Sequence, residues 1–279
     1  MNKSKLISTF VIFGCILTLF ASYNIYQSRI QSITNPSVNA SDKVSPNNNE
    51  ISKENRTSDK KINQSKSDSL TAEEITSLTA NMSDEARTVF TSRLKSKEKI
   101  QLLVIGSSSI EEGTPGYGEL LSTDLSEAYG ELIETTSITF DGNTAELVDE
   151  LDGDLIDWSS DFDVVLLEGM NLSNNGVVVV EDSIDHIEEI NDRMKQNVVD
   201  SVLLVHPSQP LAKAAYYPKE VESFKSYLTS KGFTYIDHWT EWPVGNEDEM
   251  NIYLTEDSEP NDKGAALWAS ALSTYLTGK

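Results

Sequence analysis

Polar residues suited to acyl transfer stand after three apolar, β-branched segments of this sequence. Ser108 follows the first segment, Gly142 and Asn143 follow the second, and Asn171 follows the third. A hydroxyl nucleophile, a backbone N–H and an amide are the groups that attack an ester carbonyl and stabilise the negative oxygen that results. The residue types therefore indicate acyl transfer, provided that the three segments end at one place.

The segments that must position these residues alternate with helix-like stretches. Five apolar runs predict strands, at 100–106, 134–140, 163–169, 201–207 and 233–239. Two short helices, at 72–82 and 83–97, precede the first run, and Thr71 and Ser83 are placed to cap them. Strands that alternate with helices form a mostly parallel sheet with both faces covered, and the active site of such a fold lies at the carboxyl ends of its strands.

Four blocks within residues 99–279 resemble the SGNH/GDSL hydrolases, a family of serine esterases and acetylhydrolases. The blocks are LLVIGSSSIEEG, FDGNTAELVDEL, DVVLLEGMNLS and EDSEPNDKGAALWA. The resemblance implies an α/β, flavodoxin-like three-layer sandwich with a five-stranded parallel sheet. It also implies that Ser108 is the nucleophile and that the Gly142 N–H and the Asn171 amide hold the oxyanion. The neighbouring Ser109 is expected to contact substrate.

The sequence departs from the family pattern at the catalytic base. Glu259 stands where the family has its histidine, and Glu256 stands where the family has the aspartate that orients it. A serine hydroxyl needs a neighbouring base, and a carboxylate is a weaker base than imidazole at neutral pH. Either the base has moved or the triad is degenerate. His238 and His206, near the ends of the fifth and fourth strands, are the candidate substitutes, although each has an alternative interpretation as a structural histidine.

Two further side chains are candidates for substrate contact. Asn143 adjoins Gly142, and Trp239 ends the fifth predicted strand near other aromatic residues. Aromatic residues in such a cluster form either a wall for a sugar or acyl group or ordinary packing. No metal-ligand spacing and no phosphate-binding loop is present, so we predict neither a metal nor a cofactor.

The N-terminal region predicts export. Residues 6–28 carry no charge and follow Lys3 and Lys5. They would span about 34 Å as a helix, which is enough to cross a bilayer. We predict a single-pass anchor at 1–28 with the C-terminal domain extracellular. A cleaved signal peptide and a lipidated Cys15 are the alternatives, and both also place the rest outside the cytoplasm.

The remaining chain divides by composition. Residues 29–69 are rich in Ser and Asn and predict a disordered linker, residues 70–98 predict a helical segment packed on the domain, and residues 99–279 predict the domain itself. Residues 1–98 have a net charge of +3 and residues 99–279 a net charge of −26. So acidic a domain argues against nucleic acid as a partner. An acylated glycan or small ester is the expected substrate, and a degenerate domain that binds glycan or protein is the alternative.

Overall fold

The structure is a computed structural model that describes residues 70–279. It contains a five-stranded parallel sheet in the order β2-β1-β3-β4-β5. The strands are β1 Ile100–Gly106, β2 Ile133–Thr139, β3 Val164–Glu168, β4 Val202–His206 and β5 Thr234–Tyr235. This is the flavodoxin-like order, in which the direction of winding reverses between β1 and β3. The predicted α/β fold is confirmed, whereas the predicted anchor and linker lie outside the described residues.

Nine α-helices are found in the described residues. They are α1 Ala72–Leu78, α2 Asp84–Ser96, α3 Tyr117–Tyr129, α4 Thr144–Asp149, α5 Asn171–Asn174, α6 Val180–Asn197, α7 Tyr217–Ser230, α8 Glu247–Met250 and α9 Asp262–Thr277. The predicted caps are confirmed, since Thr71 forms a capping box with Glu74 and the Ser83 hydroxyl accepts from the Ala86 N–H. Within residues 70–279, no helix combines the length and the apolar character needed to cross a membrane.

The helices cover both faces of the sheet. Leu102 and Val104 of β1 pack on the face covered by α2, α3 and α9, whereas Leu103 and Ile105 pack on the face covered by α4, α6 and α7. All four side chains are fully buried. Strands buried on both faces are continuously apolar, which is why the sequence runs of β1, β3 and β4 predict the sheet so well.

Three predicted elements are clearly shorter than expected, and the first is the helix predicted at 72–82, which ends at Leu78. The helix-like stretch after the second predicted strand, at 144–158, is helical only to Asp149, because the following Asp-Gly-Asp run at 152–154 disfavours helix and forms a turn. The strand predicted over 233–239 is limited to Thr234–Tyr235, which pair with β4 at the edge of the sheet. His238 therefore lies beyond the strand, in a 3₁₀ turn at His238–Glu241.

Candidate active site

The carboxyl end of β1 presents Ser108 to solvent. Gly106 ends the strand, and Ser108–Ile110 forms a 3₁₀ turn in which Ser108 is exposed. Within residues 70–279, no hydrogen bond uses the Ser108 hydroxyl. Gly106 is required because a side chain there would collide with the Tyr117 hydroxyl. Ser108 thus lies at the winding reversal between β1 and β3, the place where open α/β sheets bind ligands.

The buried Glu168 carboxylate holds this turn in place. Glu168 ends β3 with 1% of its surface exposed. It accepts hydrogen bonds from the Ser107 N–H at 2.8 Å, the Ser107 hydroxyl at 2.9 Å and the Ser208 hydroxyl at 2.5 Å. Burial raises the pKa of Glu168, and the hydrogen bonds from Ser208 and Ser107 oppose that rise. Glu168 thus supplies a buried carboxylate to the turn from the neighbouring strand β3.

Ser208 connects the same carboxylate to Asn171. The Ser208 N–H donates to the Asn171 side-chain oxygen at 3.2 Å, and the Ser208 hydroxyl accepts from the Leu172 N–H at 3.4 Å. The Asn171 oxygen is therefore occupied as an acceptor, and no hydrogen bond in the described residues uses its NH₂ group. That orientation leaves the NH₂ group as a donor, which is the role expected of it at an oxyanion.

Glu259 contacts the serine that follows the expected nucleophile. The hydroxyl of the buried Ser109 donates to Glu259 Oε2 at 2.6 Å, and Gln209 Nε2 donates to the same oxygen at 3.0 Å. No hydrogen bond in the described residues uses Glu259 Oε1. The residue at the position of the family histidine is therefore fixed beside the Ser108 turn through one oxygen. The Ser109 hydroxyl contacts both Glu259 and Gln209, and its predicted contact with substrate stays a prediction.

Asn143 and Gly142 lie at the start of α4. The Asn143 side-chain oxygen accepts from the Ala145 and Glu146 N–H groups, and its amide donates to the Glu146 carboxylate. The side chain is thus engaged in a capping box, and its predicted contact with substrate stays a prediction. A side chain at Gly142 would collide with the Phe140 ring. The oxyanion role of the Gly142 N–H stays a prediction.

Trp239 lies half-buried next to the Ser208 loop. Its indole N–H donates to the Ser208 carbonyl at 2.7 Å, and its ring lies 5.5 Å from the Tyr217 ring, centroid to centroid. These contacts account for Trp239 as packing, and its predicted contact with substrate stays untested. Within residues 70–279, no group of three or more His, Cys, Asp or Glu side chains is placed to hold a metal ion.

His206 and His238 are enclosed in an aromatic cluster on the face of the sheet that α3 and α9 cover. Both are 0% exposed, and the His238 ring stacks on Trp268 at 4.4 Å. His238 Nε2 donates to the Pro207 carbonyl at 2.8 Å, and its Nδ1 accepts from the Trp242 indole at 3.1 Å. His206 Nδ1 donates to the same carbonyl at 3.1 Å. Neither ring is available to a serine at the exposed end of the sheet, so the expectation of a histidine base is not supported.

This pair predicts a loss of stability in acid. Burial lowers the pKa of His206 from 6.5 to about 4, and burial together with the nearby His206 lowers that of His238 well below 6.5. The unfolded chain therefore binds protons that the folded chain does not. The stabilisation is complete above about pH 6.5 and is lost as the pH falls towards 4, by about 3 kcal/mol for His206 alone.

Denaturant unfolding at about pH 7.5 and about pH 4.5 measures this effect. The His206→Gln variant is expected to lose less unfolding free energy on acidification than the wild type, because one buried imidazole no longer titrates. Equal losses in the two proteins would contradict the assignment.

Comparisons with known proteins agree with the fold. No family model matches the chain, and no curated protein matches it. The solved lipase Lip_vut3 from a goat rumen metagenome aligns with a TM-score of 0.52 and 14% identity, over 65% of this chain and 99% of the lipase.

Two further solved structures are similar. A GDSL-like lipase from Bacteroides thetaiotaomicron aligns with a TM-score of 0.46 and 14% identity, over 68% of this chain and 96% of the lipase. A carbohydrate esterase family 3 protein from Talaromyces cellulolyticus aligns with a TM-score of 0.48 and 14% identity, over 63% of this chain and 96% of the esterase. At such identity the likeness concerns the fold alone, and the α/β fold with a five-stranded parallel sheet expected from the sequence is confirmed.

Proposed function

We propose that this protein is a serine ester hydrolase that removes a small acyl group, such as acetyl, from a cell-envelope or extracellular glycan. Ser108 attacks the ester carbonyl, the Gly142 N–H and the Asn171 NH₂ hold the oxyanion, and Glu259 takes the serine proton. The alcohol leaves, and water then releases the acid from the acyl-serine. The observation that carries the proposal is the exposed Ser108 at the winding reversal, whose hydroxyl makes no hydrogen bond within residues 70–279, on a turn that Glu168 fixes.

The location is part of the same proposal and is supported by sequence. The uncharged stretch 6–28 after two lysines favours a single-pass anchor in the cell membrane, and the polar linker 29–69 would hold the acidic domain away from it. The glycan is inferred from that location together with the family resemblance.

Fluorophosphonate labelling of the purified full-length protein tests the chemistry. We expect hydrolysis of 4-nitrophenyl acetate and a covalent label that peptide mass spectrometry maps to Ser108. The Ser108→Ala variant is expected to lose both, whereas Ser126→Ala, at an exposed serine of α3, is expected to retain both. A folded wild-type protein that neither hydrolyses aryl acetates nor takes up the label would refute the proposal.

A binding domain without catalysis is the second candidate. It is favoured by the absence, within residues 70–279, of any base hydrogen-bonded to Ser108 and by the enclosure of His206 and His238. Such a domain would bind glycan or a partner protein at the same rim. It predicts that Ser108→Ala leaves ligand binding intact while the wild type shows no serine reactivity.

A further inference from the structure

A groove lined in part by hydroxyl side chains runs along the free edge of the sheet, beside β2. It has a volume of about 560 Å³ and lies between β2 and α3. Thr135, Ser137 and Thr139 line it from the strand, and Ser122 and Thr123 line it from the helix. Alternate residues of a strand point to one face, so the three strand hydroxyls form a row about 13 Å long at about 3.3 Å per residue. We call this feature the β2 groove.

The β2 groove is continuous with the turn that carries Ser108. Ile110, the last residue of that turn, and Glu111, which follows it, both line the groove. The Thr139 hydroxyl donates to the Glu111 carboxylate at 2.6 Å, which ties the carboxyl end of β2 to the turn. A chain molecule lying along β2 would thus have one end at the candidate active site.

The lining of the groove fits an uncharged polyhydroxyl ligand. Its hydroxyls both donate and accept hydrogen bonds, and its Glu111 and Glu119 carboxylates accept them. No Lys, Arg or aromatic side chain is among the residues that line it. Residues 99–279 have a net charge of −26, which would repel a polyanion. A neutral sugar chain would instead find hydrogen-bond partners for its hydroxyl groups.

We infer that the β2 groove binds the backbone of a neutral polysaccharide, so that the ester carried by one of its sugars is held at Ser108. The inference rests on the proposed glycan deacylation. It adds a surface that a polymeric substrate would contact and a small ester would not. A small aryl ester needs only the rim around Ser108. A polymer gains additional hydrogen bonds along the row of Thr135, Ser137 and Thr139.

The test compares two variants on two substrates. The double variant Thr135→Ala/Ser137→Ala removes two hydroxyls from the groove. The control, Thr136→Ala, removes an exposed hydroxyl of the same strand that points to the opposite face. We expect the double variant to lose about 10-fold in kcat/KM on O-acetylated xylan, with 4-nitrophenyl acetate hydrolysis unchanged. The control is expected to match the wild type on both substrates.

Equal rates of the double variant and the control on the polymer would overturn the inference, and so would a parallel loss on both substrates. Equal rates of the two variants on the polymer are also what we expect if the groove binds a peptide strand through the β2 backbone, because that pairing does not use the side-chain hydroxyls. Binding to unsubstituted xylan, measured by affinity electrophoresis in a Ser108→Ala background, separates the two proposals. If the wild type hydrolyses neither ester, the proposed function fails. The β2 groove is then tested by xylan binding alone, which Thr135→Ala/Ser137→Ala is expected to weaken and which an unchanged affinity would contradict.

Discussion

The Glu168→Ala variant is expected to lose at least about 100-fold in kcat/KM for 4-nitrophenyl acetate and about 2–4 kcal/mol of unfolding free energy. The buried carboxylate accepts hydrogen bonds from Ser107 and Ser208, and Ser208 in turn donates to Asn171. Removal of the carboxylate leaves these donors without a partner, at about 1–3 kcal/mol for each buried group. It also frees the Ser108 turn and Asn171 to move relative to each other.

Two further variants identify the cause. Glu168→Gln keeps one acceptor oxygen and the side-chain volume, so we expect it to retain more activity and stability than Glu168→Ala. Glu134→Ala removes an exposed glutamate from the edge strand and is expected to change either quantity little. Denaturant unfolding gives the stability, and the rate of fluorophosphonate labelling reports the position of Ser108 independently of turnover. If Glu168→Ala folds and is labelled as fast as the wild type, Glu168 does not position the nucleophile.

The sheet could be predicted from sequence because its central strands carry their own signal. The runs that form β1, β3 and β4 are apolar on both faces, as strands buried between two layers of helices are. The edge strand β5 pairs over only two residues, so its length depends on β4 rather than on its own sequence. The strand predicted at 233–239 therefore extends beyond the observed end of β5.

The buried histidines show how strand position can mislead. His206 ends β4, which places its backbone at the rim of the sheet. Its side chain, however, points to the same face as Val202 and Leu204, both in the core beneath α3 and α9. The alternation along the strand contains this information, but the aromatic cluster that encloses the ring comes from segments distant in sequence.

The residues that hold the site together could not be predicted in the same way. Glu168 ends a run of apolar residues, and its role depends on Ser107 and Ser208, which lie 61 and 40 positions away. Gln209 and Glu259 likewise meet through contacts 50 positions apart. No local pattern encodes such contacts.

The Glu259→His variant is expected to raise kcat/KM for 4-nitrophenyl acetate by about 10- to 100-fold near pH 7.5. Glu259 already lies beside the turn that carries Ser108, because its Oε2 accepts from the Ser109 hydroxyl at 2.6 Å. An imidazole at this position is a stronger base than a carboxylate at neutral pH, with a reference pKa of about 6.5 against about 4.3. The gain is expected to fade as the pH drops below about 6.5, because the new imidazole becomes protonated.

Glu259→Gln is the matched control, because it keeps an oxygen that accepts from Ser109 but cannot take a proton. If Glu259 is the base, we expect this variant to fall well below the wild type, whereas Glu259→His rises above it. Initial rates between about pH 5 and pH 9 measure both effects. Thermal unfolding shows whether each variant retains the wild-type fold. If folded Glu259→His and Glu259→Gln are both inactive and Ser108 stays unlabelled, the rim is not arranged for acyl transfer. The binding domain without catalysis is then the better account of the exposed Ser108.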